Sequence, residues 1–146
     1  LGGHFMGSDG SFDPVLIELA TPEAAEGLFL TTIGSDVRQI PTAQAFVAEY
    51  EARFGPIGAY SAYAYEATSI AIWAARQAAA QGAFAPDRST AQRRAAVLAA
   101  MKTLKDYPGL FGPQNFDERG DSTNRDVGLF TVTDGTFAFL KTASPE

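Results

Sequence analysis

An α/β fold that ends in a β-hairpin is what this 146-residue sequence predicts, on three observations. The opening 33 residues read as strand, helix and strand, the size of a unit whose two strands run parallel. From Thr42 onward the apolar residues change to the 3.6-residue period of helices. Near the end, Asp134-Gly135 separates two β-rich runs and is the strongest short hairpin signal in the chain.

Each element has its own local cause. Residues 4–8 read as a short buried strand that ends at the turn Gly7-Ser8-Asp9-Gly10. Asp13 is a good N-cap, because its carboxylate can accept from the free N–H groups of the next turn. Pro14, at the first helical position, loses no hydrogen bond there. Phe12 and Ile17 have the spacing of a hydrophobic staple, and this helix should run to about Ala20. Residues 21–27 read as a helix exit and turn, 27–33 as a strand, and 34–41 as an extended connector.

Ala43, Phe46, Val47, Tyr50 and Phe54 then form one helical stripe, with Glu49 and Arg53 as an i,i+4 pair on the other face. Gly55-Pro56 stops that helix. The segment 59–82 is apolar almost all round, as expected of a helix buried on most sides. A third helix starts near Ser89, which has capping-box spacing to Gln92, and ends at Tyr107-Pro108-Gly109. Residues 112–126 are rich in turn formers, and the hairpin pairs Val127–Thr133 with Thr136–Lys141.

Bulk composition narrows the function. Apolar residues make up 46% and charged residues 19%, a globular balance for one domain-sized chain. The net charge is −6 and no basic block stands out, which argues against nucleic acid as a partner. There is no cysteine, so disulfides, thiol nucleophiles and cysteine zinc sites are excluded. His4 is the only histidine, and a histidine-dependent hydrolase would have to rest on it alone. No enzyme activity, cofactor or metal site is expected. No apolar run approaches the roughly 20 residues that span a bilayer. Leu1 is not an initiator Met, and the chain enters a strand at once, as a processed protein or a piece of a longer one would.

The chemical signals are few. Gly7-x-x-Gly10 lacks both the first glycine of a dinucleotide fingerprint and its downstream acidic residue. Asp117, Glu118, Asp121 and Asp126 lack the alternation and final Glu of a calcium loop, and read as a solvated turn. Tyr60, Tyr63 and Tyr65 cluster at the start of the second helical segment, where aromatics can be core or ligand cage. Glu66 has no partner in the sequence and reads as a helix-surface carboxylate. Asp9 lies in a loop after a strand, where open α/β sheets bind ligands, and a carboxylate there suits an ammonium group. On pattern alone it is equally a ligand contact or a structural turn.

Six pieces in order carry a resemblance: "FMGSDG", "AAEGLFLTT", "FVAEYEARFG", "YSAYAYEA", "GLFGPQNFDERGD" and "VGLFTVTDG". Together they resemble the C-terminal part of a type I periplasmic substrate-binding protein, of the branched-chain amino-acid ABC-transporter family. That resemblance implies an incomplete type I periplasmic-binding fold, built from Rossmann-like lobes that close over a small ligand. It implies that Asp9 receives the ligand's α-ammonium, that Gly10 lines the site, and that Tyr65 of "AYEA" reaches the cleft. The family also uses Glu at the acidic position, so Asp9 is shorter by one methylene.

On this resemblance, about 1–38 belongs to the second lobe, about 39–121 to the first, and about 122–146 returns to the second with the hairpin. The implied function is extracytoplasmic: delivery of an amino acid to a membrane permease, in the periplasm or its equivalent. Apolar surface left uncovered by absent parts should make the chain self-associate, and it should bind amino acids weakly by itself. Rival readings are a ligand-sensing regulatory domain on the same fold, or a binder of an amide, urea or aromatic acid.

Overall fold

The computed structural model describes residues 3–144. The chain divides into two compact units: Leu1–Gln44 with Asn124–Glu146, and the contiguous stretch Ala45–Thr123.

The first unit is a four-stranded sheet with helices against it. Its strands are β1 (Met6–Gly7), β2 (Phe29–Ile33), β5 (Val127–Thr133) and β6 (Thr136–Ala143), in the spatial order β1-β2-β5-β6. β1 pairs with β2 in parallel, as the strand–helix–strand reading predicts, and the other two pairings are antiparallel. Between β1 and β2 run α1 (Pro14–Ala20) and a single turn of helix, α2 (Pro22–Ala25). Asp13 caps α1 by accepting from the Val15 N–H at 2.9 Å.

Alternation decides which face of this sheet is covered. In β5, Gly128, Phe130 and Val132 are buried and the residues between them are less so. Leu30 stands opposite Phe130, while Phe137 and Phe139 of β6 oppose Val132 and Phe130, so these side chains share one face. Ile17 of α1 and Ala25 of α2 pack on Val132, with Leu28 and Phe137 at the margin. Phe12 lies over this layer, its ring 4.5 Å from Phe130 and 4.6 Å from Phe137. Phe12 and Ile17, the residues with staple spacing, thus both lie against this apolar layer. Asp134 and Gly135 both have positive φ (51° and 68°), the backbone of the tight turn that Asp-Gly predicts. Leu140 has no partner in the ladder and forms the bulge of β6.

The second unit holds α3 (Gln44–Phe54, its first residue in the other unit), α4 (Ser61–Ala80), α5 (Thr90–Met101) and a small hairpin, β3 (Tyr107–Gly109) with β4 (Gly112–Gln114). Ser89 and Gln92 make the full capping box at the start of α5. Glu49 and Arg53 form the expected ion pair at 3.5 Å. α4 packs along α5.

Several expectations need correction. The strand near 4–8 is only two residues long, and Phe5 and Met6 are exposed, because among the described residues no further strand lies beyond β1. Residues 21–27 include the helical turn α2, started by Thr21, whose hydroxyl accepts from the Ala24 N–H at 3.4 Å. Residues 34–41 are not extended: Asp36 caps a 3-10 turn at Val37–Gln39, and a second begins at Pro41. α4 buries one ladder, Ala62, Glu66, Ile70, Ala74 and Ala78, while Tyr65 and Ile72 stay half exposed. Tyr107-Pro108-Gly109 forms a strand, because α5 has already stopped at Met101.

Gly128 is where the sheet is tightest. A Cβ there would stand 2.5 Å from both the Gly34 carbonyl oxygen and the Thr32 hydroxyl. Gly128→Ala is expected to destabilise the protein by about 1–3 kcal/mol, since backbone has to move to admit the methyl. The midpoint of urea unfolding checks this, and an unchanged midpoint would show that β5 yields without cost.

Candidate functional site

The loop that follows β1 is set by its two glycines in different ways. A Cβ on Gly7 would come within 2.8 Å of the Leu30 side chain, so Gly7 lets β1 lie close against β2. A Cβ on Gly10 would meet nothing within 4 Å, so Gly10 faces open space. Between them, Asp9–Ser11 is one 3-10 turn, closed by Ser11 N–H to Ser8 carbonyl at 2.9 Å and Phe12 N–H to Asp9 carbonyl at 3.0 Å. Asp9 is half-buried in this turn and belongs to the first unit. The structure therefore puts the carboxylate at the C-terminal end of a parallel strand, before a helix, with an unobstructed glycine next to it.

Tyr65 belongs to the second unit, on the first turns of α4. It is 52% exposed, and one side of its ring rests on Phe46 of α3 at 4.5 Å between centroids. Tyr63, two residues earlier, turns the other way and stacks flat on Phe111, at 4.3 Å and 6°. Of the tyrosine cluster, Tyr63 is thus held against the β3–β4 hairpin, while Tyr60 and Tyr65 present surface.

Glu66 overturns the surface reading of the sequence. It is only 7% exposed, and its carboxylate accepts from the backbone N–H groups of Leu110 and Phe111, the latter at 3.3 Å. Those residues form the two-residue tip of the β3–β4 hairpin. Gly109 has no room for a side chain because a Cβ would sit 2.6–2.7 Å from the Glu66 carboxyl atoms. A signal was present in the sequence: Glu66 interrupts the i,i+4 ladder of Ala62, Ile70, Ala74 and Ala78. Its partners, 44 and 45 residues downstream, have no such signature.

The acidic stretch behaves as a turn. Asp117 accepts from the N–H groups of Arg119 and Asp121 at 2.9 and 3.0 Å. Among the described residues no group of three or more His, Asp or Glu is placed to hold a metal. Among the described residues no helix is long and apolar enough to cross a membrane either. A groove in the second unit is lined by Leu98, Met101, Lys102, Phe116, Asp117 and Arg119, with neither Tyr65 nor Glu66 in its walls.

Burial raises the Glu66 pKa above its ordinary 4.5, and the Phe111 and Leu110 N–H groups oppose that rise. The folded state thus holds the proton more tightly than the unfolded chain. The stability contributed by this group is complete below the unfolded value near 4.5 and is lost as pH rises through the higher folded value. Urea unfolding of the protein and of Glu66→Gln is expected to show the native Glu gaining most relative to Gln below that pH, and losing ground towards neutrality. Parallel pH profiles for the two would contradict this.

The profile of the family described as "Periplasmic binding protein" matches residues 2–136. Among solved structures, the chain is similar to a leucine binding protein from Thermotoga maritima: 26% identical, TM-score 0.80, covering 99% of this chain and 38% of that one. It is also similar to an ABC transporter substrate-binding protein from Desulfitobacterium hafniense in complex with Leu, at 22% identity and TM-score 0.68, over 96% of this chain and 36% of that one. A third is a solute binding protein of an ABC transporter from R. palustris in complex with benzoate, at 21% identity and TM-score 0.60, over 88% and 33% of the two chains. The last two, below 25% identity, establish likeness of fold alone. No curated protein matches the sequence. The chain spans about 38% of the length of the Thermotoga protein, so the type I periplasmic-binding fold is present here in part.

Proposed function

This chain belongs to the periplasmic binding protein family, and from that premise we propose that it serves as the extracytoplasmic solute-binding component of an ABC transporter. Its ligand is a branched-chain or related amino acid, and its downstream partner is the membrane permease. The reading involves binding and release without covalent chemistry.

One observation carries the choice of ligand: Asp9, half-buried beside the unobstructed Gly10, at the carboxyl end of a parallel strand. That position suits contact with a small ligand, and a carboxylate there favours an ammonium group. On this reading Asp9 receives the α-ammonium, Gly10 lines the site and Tyr65 offers its exposed ring to the ligand. The lobe assignment follows the same reading: about 1–38 and 122–146 are parts of one lobe, and about 39–121 is part of the other. The division of the chain near Gln44 and Asn124 supports it.

A second reading is supported by the relative in complex with benzoate. An aromatic acid has no ammonium, and Asp9 would then have no charge to meet. A ligand-sensing domain on the same fold is distinguished by what the gene encodes beside this chain, a helix-turn-helix or a secretion signal.

Calorimetry on the protein extended to the length of its relatives decides between the ligands. Asp9→Asn is expected to weaken leucine by about tenfold to a hundredfold, the worth of a hydrogen bond to a charged group. Unchanged leucine affinity, or tight benzoate binding indifferent to the substitution, would sink the amine contact. The 146-residue chain alone is expected to bind leucine weakly.

Self-association follows from exposed apolar groups. Phe54, Tyr60, Tyr65, Ile72 and Leu98, all in the second unit, are between 49% and 66% exposed. Light scattering at micromolar concentration is expected to give the mass of a dimer or larger. A monomer mass would refute it.

A further inference from the structure

We infer that Glu66 is a positioning residue for Tyr65, fixing the rotation of α4 by holding the tip of the β3–β4 hairpin. The inference rests on the reading of Tyr65 as a ligand contact, and its evidence lies wholly within the second unit.

A helix that is free to turn about its axis cannot aim a side chain, and α4 has few devices to stop it. Its buried ladder is mostly alanine, with Ala62, Ala74 and Ala78 offering small and nearly interchangeable contacts. Large side chains would key the helix into one orientation; alanines do so weakly. Ile70 is the one large apolar member of that ladder, and Glu66 is its one polar member. Its carboxylate is seated on two backbone donors, Leu110 and Phe111. Breaking that seat leaves two partly buried N–H groups to find other partners.

The same hairpin tip is held a second time. Phe111 gives its N–H to Glu66 and its ring to Tyr63, which stacks on it at 4.3 Å. Successive helix residues differ by about 100° around the axis. Tyr63 and Glu66, three residues apart, therefore share a flank, and that flank is taken by the hairpin. Tyr65 falls on the neighbouring flank, where Phe46 supports its ring at 4.5 Å. Gly109 completes the arrangement, since any side chain there would displace the carboxylate. Fixing one flank at Phe111 thus fixes the direction in which Tyr65 faces.

The test separates holding the hairpin from aiming Tyr65. Trp73, the only tryptophan, stands edge-on to Tyr107 of β3 at 6.2 Å, so its emission reports the seat of the hairpin. Fluorotyrosine labelling, with the Tyr65 signal assigned through Tyr65→Phe, reports that ring. Glu66→Ala and Gly109→Ala are both expected to shift Trp73 emission and to move or broaden the Tyr65 signal. Glu66→Gln, which keeps an acceptor oxygen, is expected to restore both. In the extended protein Glu66→Ala should weaken leucine by about fivefold or more, and Glu66→Gln by about twofold at most.

A Trp73 shift with an unchanged Tyr65 signal would overturn the inference, leaving Glu66 a support of the hairpin only. So would a Tyr65 signal unmoved in every variant. Should Glu66→Ala not fold, Gly109→Ala decides, because it disturbs the carboxylate without altering α4. If Tyr65→Ala leaves leucine affinity unchanged, the ligand reading fails, and the fluorotyrosine result still judges the positioning claim.

Discussion

The antiparallel pairing of Phe29–Ile33 with Val127–Thr131 is the constraint from which the rest of the architecture follows. It joins two strands from opposite ends of the sequence and makes β5 the centre of an apolar face. Phe130 and Val132 then become the floor on which Phe12, Ile17 and Ala25 settle. The pairing continues past β2, where the Gly34 N–H reaches the Asp126 carbonyl at 2.8 Å and Gly34 bridges to Val127. Chain leaving the first unit and chain re-entering it are thereby tied together at one point. Gly128 permits that closeness because it has no Cβ to place between the two.

In the second unit a polar group, rather than an apolar one, carries the specificity of packing. An alanine-rich ladder brings α4 near its neighbours but selects poorly among orientations. A single buried carboxylate on two main-chain donors supplies the missing selection, at the cost of desolvating a charge. Asp9 differs in burial: it is half-buried in a short turn, with open space at Gly10.

What could be read from the sequence was what is decided locally. Asp13-Pro14, Ser89 with Gln92, Asp134-Gly135 and the Glu49–Arg53 pair each depend on residues no more than four apart. The parallel β1–β2 pair was legible from the length of the strand–helix–strand stretch. The exposure of Phe5 and Met6 was not, because it depends on what lies beside β1 rather than on β1 itself. The three-residue strand at Tyr107-Pro108-Gly109 carries a proline and no alternation, so nothing local marks it. Asp9 was legible as a candidate through its loop and the family resemblance. Glu66 was missed because a carboxylate on a helix is ordinarily solvated, and its two donors come from a distant turn.

The interleaved order of the two units has a consequence in time. Ala45–Thr123 is continuous, so every residue of the second unit has been synthesised before the first residue of β5. β2 is made before the second unit and lacks its main partner until β5 emerges. Such long-range pairing is slow, because a large loop must close before any of its contacts form. During that interval β2 exposes an unpaired edge rich in β-branched and aromatic residues, the kind of edge that recruits other chains. β5 and β6 thus follow β2 at a distance in the chain, and β5 covers the edge that β2 would otherwise leave open.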